Sequence, residues 1–207
     1  MQSKVQLSVL FLFLIGIFLF NNCSDPSNES KDFLPTGGSV KIQLLDPVET
    51  LDPLKIILHS DWHISKNIFE GLVGYGDTYD NVEPLIAQSW EVLENGKKFI
   101  FKLRRDIKFH DDPCFPGGKG RNLTSKDILF SFERLASPKS NNINWGLFID
   151  KIVGINDFNK NISDSISGIK LINDYEIEFH LTKPYYTFLK ILASPPAYII
   201  PKEAVVY

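Results

Sequence analysis

The chain has 207 residues, of which 43% are hydrophobic, 23% charged and 13% aromatic; that excludes a disordered chain and leaves room for one or two folded domains. Lys plus Arg number 22 against 25 Asp plus Glu, a formal charge of -3, which argues against a nucleic-acid binder, an acidic tail or a polybasic membrane patch. Two cysteines exclude a disulfide-rich scaffold and a four-Cys zinc site.

The N-terminus carries Lys4 and then an unbroken apolar run, Val9 to Phe20. As a helix this run rises about 18 Å, short of the ~30 Å hydrocarbon core, so residues 1–22 read as a secretory signal peptide rather than a span. Cys23 follows directly and resembles the bacterial lipoprotein processing site, at which the Cys becomes the lipidated N-terminus, although Asn22 stands where such sites usually carry a small residue. Residues 23–37 are polar and turn-rich, as a tether between lipid and domain should be.

Beyond the tether, Val40 to Leu44 alternates apolar and polar and predicts a half-buried strand. Leu51-Asp52-Pro53 is a turn, and the spacing of Ile64, Ile68 and Leu72 predicts a helix from His59 to Phe69. Trp90–Leu93 and Phe99–Leu103 flank Glu94-Asn95-Gly96, a hairpin signal because Asn and Gly tolerate positive φ. Ile107–Phe109 reads as a strand closed by a polar turn. Thr124 and Asp127 predict a capping box for a helix with Ile128, Phe132 and Leu135 on one face, ended by Ser137-Pro138. A second hairpin joins Ile169–Leu171 to Tyr175–Leu181 through Asn173-Asp174; its later strand turns Glu176, Glu178 and His180 to the wet face. A last helix is expected to begin at Pro184 with Phe188, Leu189 and Leu192 buried, followed by a short strand at Tyr198–Ile200.

Local signals of chemistry are weak. His59 and His63 share a helix face, but Ser60 stands where a zinc protease carries its Glu. His110-Asp111-Asp112 lacks a nucleophile in any recognised local motif, and a polar turn is the ordinary reading. Gly118-Lys119 is followed by Gly120, where a phosphate loop needs Ser or Thr. No enzymatic activity, cofactor or metal is expected.

The order of segments is more informative. Leu51-Asp52-Pro53 is followed by Ile68-Phe69-Glu70-Gly71-Leu72, then Pro84 to Glu91, Asn95-Gly96, and Phe99 to Arg104. Ile107 to Asp111, Thr124 to Ile128, Phe130-Ser131-Phe132-Glu133-Arg134, and Ile200-Pro201-Lys202-Glu203-Ala204 complete the series. From about residue 40 to the C-terminus this order resembles the family 5 extracellular solute-binding proteins, the oligopeptide- and dipeptide-binding receptors of ABC importers. The stretch Asp111–Arg121 is longer than the common family pattern.

The resemblance implies a mixed α/β (α+β) fold of the class II periplasmic-binding-protein type, two-lobed, with hinge closure around the ligand. It implies that residues 38–69 and 183–207 are parts of lobe one, and that 70–182 is a subdomain inserted into it. By length this chain is less than half of such a receptor, ending before the second lobe, so an open half-cleft with little affinity of its own is expected. Ile57, Leu58 and His59 match a stretch lining the cleft, and Trp145 falls near a ligand-facing aromatic. The implied ligand is a peptide held mainly through its backbone and termini; nickel complexes, haem and sugars are alternatives within the family. The implied partners are an ABC permease with its ATPase subunits and a membrane reached through lipid on Cys23; the implied state is a periplasmic or extracytoplasmic monomer without nucleic acid. An adhesion lipoprotein or an inactive gene fragment are the competing readings.

Overall fold

The computed structural model describes residues 38–39, 41–78 and 81–206. The signal segment, Cys23 and the tether lie outside these. The chain divides into two compact units, Met1–Gln43 and Leu44–Tyr207. In the first, the described residues carry no regular secondary structure, and the second holds every element below.

The centre of the second unit is a four-stranded antiparallel sheet in the order β3-β4-β6-β5, with β3 Ala87–Leu93, β4 Lys98–Leu103, β5 Ile169–Asn173 and β6 Glu176–His180. A separate ribbon pairs β1 Val73–Tyr75 with β2 Val82–Pro84. Both expected hairpins form. Glu94, Asn95 and Gly96 close the first with φ of 51°, 54° and 86°, and only the last, a glycine, adopts this left-handed region without a Cβ penalty. In the second, the Asn173 side chain accepts from the Tyr175 amide at 2.8 Å.

One face of the sheet carries Phe99, Phe101, Ile177 and Phe179, all at most 3% exposed. The helix α2 (Ser125–Ala136, following the short α1, His59–Ser65) lies over it with Ile128, Phe132 and Leu135 buried. Its N-terminus has the predicted capping box: the Thr124 amide donates to Asp127 Oδ2 at 2.9 Å. The Phe132 ring meets Phe179 edge-on at 5.0 Å, and Phe188 from α4 (Phe188–Leu192) meets Phe99 at 5.1 Å, so one aromatic cluster joins helix, sheet and the late helix. The remaining helices, α3 (Ile155–Asn159) and α5 (Glu203–Val206), are short.

Several expectations are corrected. Residues 41–44 are not a strand, and Ile42 is 64% exposed: an alternating segment needs a neighbouring strand, and none stands beside it among the described residues. Helix α1 stops at Ser65, and Ile68 lies beyond it, exposed. Ile107–Phe109 is reduced to one bridge, Lys108 with Asn122. The late helix begins at Phe188 rather than Pro184, because Tyr185 is pinned first: its hydroxyl donates to the Asp150 carbonyl, and Lys151 and Lys183 sit over its ring. Tyr198–Ile200 is buried and extended but not a strand; Ile199 N donates to Glu70 O, while Ile200 bonds through N and O to the Ser131 side chain rather than to a neighbouring strand.

Glu178 is not wet but 6% exposed. Lys98 pairs with His180 across β4 and β6, which brings its Nζ to 2.7 Å from Glu178 Oε2. His180 Nε2 contacts the other oxygen, and Lys170 closes the far side. Burial alone would raise the Glu178 pKa, but the Lys98 and His180 contacts outweigh it and hold the carboxyl below its ordinary value.

Candidate functional site

The segment carrying Ile57, Leu58 and His59 is built outward from the Leu-Asp-Pro turn. Asp52 accepts from Leu54 N at 3.2 Å and so caps the 3₁₀ turn Pro53–Lys55, whose Pro53 and Leu54 are buried. Arg134 in the last turn of α2 grips the same carboxylate with both Nη atoms, at 2.9 and 2.8 Å. Partial burial would raise the Asp52 pKa, yet the Arg134 guanidinium and the Leu54 amide hold it below the ordinary carboxylate value.

The chain then leaves the core. Ile56 is 6% exposed and Ile57 is 74% exposed. Ile56 and Leu58 are extended, with φ, ψ of -70°, 120° and -75°, 148°. Among the described residues no hydrogen bond engages the N–H or C=O of Ile57. At His59 the chain turns into α1, where Asp61, 2% exposed, accepts the Glu49 and Thr50 amides at 2.8 and 3.3 Å and fastens the preceding loop. The exposed His59 ring lies 5.8 Å from that of His63. No group of three His, Cys, Asp or Glu that could hold a metal gathers among the described residues.

Trp145 opens a 3₁₀ turn, Trp145–Leu147, and its half-buried ring packs against the core. The structure brings it to the first segment through its neighbour: Asn144 Nδ2 donates to Ile56 O at 3.1 Å across 88 residues of sequence. The chain neighbours of Ile57 and Trp145, Ile56 and Asn144, are thus joined directly. The residues that make these links, Arg134 and Asn144, were not among the four singled out from the sequence. Arg134 and Asp52 both stand in segments that carry the resemblance, but nothing local pairs them, and Asn144 sits in an Asn-rich loop with no distinguishing pattern.

The remaining polar clusters have structural partners. Asp111 binds Lys119 at 2.7 Å and the Gly120 amide rather than orienting His110, and Asp112 accepts the Cys114 amide. The half-buried Cys114 thiol is pushed above its ordinary pKa by desolvation and by Asp112, the wrong direction for a nucleophile. Two hollows of about 710 and 440 Å³ share Lys66, Phe69 and Glu70, and neither is lined by Ile57, Leu58, His59 or Trp145.

Against known proteins, residues 81–205 match the model of the bacterial extracellular solute-binding proteins, family 5 (middle region). The chain belongs to the family 5 solute-binding proteins. Among curated family 5 relatives, the periplasmic oligopeptide-binding protein OppA of Escherichia coli K12 is 32% identical over 166 residues, covering 76% of this chain and 28% of its own length. The dipeptide-binding protein of the same organism is 31% identical over 138 residues, covering 66% of this chain and 24% of its own. Among solved structures, the substrate-binding domain of an oligopeptide ABC transporter from Bacillus anthracis str. Ames superposes with a TM-score of 0.67 at 28% identity, over 77% of this chain and 29% of that one. OppA of Burkholderia pseudomallei gives 0.64 at 30% identity over the same shares. The chain therefore spans under a third of the length of the family 5 relatives it matches. The mixed α/β fold expected from the sequence is that of these periplasmic binding proteins. Among the described residues no helix is long and apolar enough to cross a membrane.

Proposed function

We propose that this chain is part of an extracytoplasmic receptor that captures peptides for an ABC importer, and that Ile57, Leu58, His59 and Trp145 form part of its ligand face. One observation carries the reading. Among the described residues nothing pairs with the backbone donor and acceptor of the exposed Ile57, and the adjacent Ile56 is hydrogen-bonded to the loop that carries Trp145. Such an edge recognises an extended peptide by main-chain hydrogen bonds, while the ring packs on a ligand side chain. The peptide-binding names of the relatives support the same class of ligand.

On this reading residues 38–69 and 183–207 contribute to lobe one and 70–182 form its inserted subdomain. Residues 1–22 address the chain for export, Cys23 carries the lipid, and a permease with its ATPase subunits receives the cargo. The receptor acts as a periplasmic or otherwise extracytoplasmic monomer, by binding rather than by catalysis.

The test is an NMR titration of the 207-residue chain with a mixed tripeptide library at millimolar concentration. Weak, saturable shifts are expected at Ile57, Leu58, His59 and the Trp145 indole. Shifts confined to the two hollows, or none at all, would overturn the proposal.

A further inference from the structure

The segment bearing Ile57 is held at two points on its N-terminal side. Arg134 holds Asp52, five residues upstream, and Asn144 holds the Ile56 carbonyl, where the chain leaves the core. Both anchors trace to the C-terminal end of α2. Arg134 is in its last turn. Asn142 Nδ2 donates to the Leu135 carbonyl at 3.1 Å, satisfying one of the groups every helix end leaves open. The Asn142 side-chain oxygen in turn accepts the Asn144 amide at 2.9 Å. The path from the α2 end to Ile56 therefore runs Leu135 O, Asn142, Asn144, Ile56 O. Of the two polar atoms of an Asn side chain only the nitrogen can donate to a carbonyl, so the partner fixes which way the Asn144 side chain points.

We infer that Asn144 is a positioning residue that sets the register between the two halves of the ligand face, the free backbone at Ile57 and the ring of Trp145. This rests on the ligand reading above. Among the described residues, Asn144 makes the one hydrogen bond that joins residues 56–59 to the loop carrying Trp145. Among the described residues Ile57 itself makes no backbone bond, so this link is what ties its segment to the loop that carries the aromatic ring. A ligand that pairs with Ile57 and places a side chain on Trp145 must match that distance. Loss of the link would cost selectivity for which ligand position meets the ring, before it cost the fold.

The test uses the full 207-residue chain in mild detergent and three variants: Asn144→Ala, the near-isosteric Asn144→Asp, which keeps the shape and removes the donor, and Asn142→Ala, one step up the path. Backbone ¹⁵N order parameters at Ile57 and Leu58 are expected to fall from the rigid range of about 0.85 towards 0.6 in both Asn144 variants, while those in β4 and β6 stay unchanged. The Trp145 indole resonance should move in all three. Order at Ile57 and Leu58 equal to wild type in Asn144→Asp would overturn the inference. So would a loss spread evenly over the sheet, which is what a general stabilising role predicts. The order parameters are measured without peptide and the titration with it, so the two readings fail separately. A chain that loosens on Asn144→Asp but never shifts with peptide refutes the ligand reading. One whose Ile57 and Trp145 respond to peptide identically in wild type and Asn144→Asp refutes the positioning role.

Discussion

Arg121→Met probes how the C-terminal segment is joined to the sheet-packed helix. Arg121 reaches Asp127 with Nη1 and Nη2 at 2.9 and 2.7 Å and Glu203 with Nε and Nη2, both at 2.8 Å, while its guanidinium lies 5.2 Å from the Phe109 ring centroid. The two carboxylates differ in burial: the Asp127 side chain is 4% exposed and that of Glu203 26%. Breaking a buried pair by removing one partner typically costs about 3–5 kcal/mol, because a charge is left uncompensated. Two features reduce this here. Arg121 is 38% exposed, and Asp127 keeps the Thr124 amide at 2.9 Å. A loss of about 2–3 kcal/mol is expected for Arg121→Met, which preserves most of the side-chain stem, and about 0–1 kcal/mol for Glu203→Gln at the more open pair. At about 2–4 °C per kcal/mol for a domain of this size, the melting temperatures should drop by roughly 5–10 °C and by no more than about 4 °C. Urea titrations and thermal melts of the two variants measure this. If Arg121→Met costs no more than Glu203→Gln, the Asp127 contact is not the principal link and the reasoning fails.

Two further outcomes follow from the same structure. Asp52 and Glu178 are both held below their ordinary pKa, so the unfolded chain takes up more protons as the pH falls; their stabilisation is complete above the unfolded value of about 4 and is lost as the pH drops through the folded values. Melting temperature should be level between about pH 5 and 7 and fall below about pH 4, with a shallower fall in Glu178→Gln; an identical acid slope in that variant would discount the Lys98–Glu178–His180 cluster. Gly154 has φ of 77°, and an added Cβ would lie 2.4 Å from Ser167 Oγ, whereas a Cβ at Gly146 meets nothing within 4 Å. Gly154→Ala should cost about 1–3 kcal/mol and Gly146→Ala almost nothing in urea unfolding, and equal effects would show that the backbone at Gly154 is not constrained as described.

What was legible in the sequence depended on how far away the hydrogen-bond partners lie. The hairpins at Asn95-Gly96 and Asn173-Asp174 and the Thr124–Asp127 capping box are settled within a few residues, and each formed where turn and cap chemistry placed it. The failures share the opposite property. Val40–Leu44 has the alternation of a strand, but alternation describes a face and not a partner. Tyr198–Ile200 is apolar and extended, yet it bonds to the Glu70 carbonyl and to the Ser131 side chain and so never joins a ladder. Glu178 obeys the alternation and points away from the aromatic face, but its exposure was decided by Lys98, which stands opposite His180 and reaches it diagonally from a strand 80 residues earlier.

The candidate site stands at the far end of this scale. Its exposed residues are defined by groups left without partners among the described residues, the backbone of Ile57 above all, and a pattern of residue types records which groups can bond, not which remain unbonded. The resemblance to a family supplied Ile57, Leu58, His59 and Trp145 because it carries three-dimensional placement that periodicity lacks. It did not supply the residues that hold them, since Arg134 meets Asp52 across 82 positions and Asn144 meets Ile56 across 88. Those two contacts are side-chain bonds whose donors have alternatives at every surface, so only the packed chain selects between them. On the proposed reading such a face is approached in two stages: likeness to known receptors nominates candidate residues, and the hydrogen-bond path through the α2 end shows which side chains hold the segment and loop that carry them.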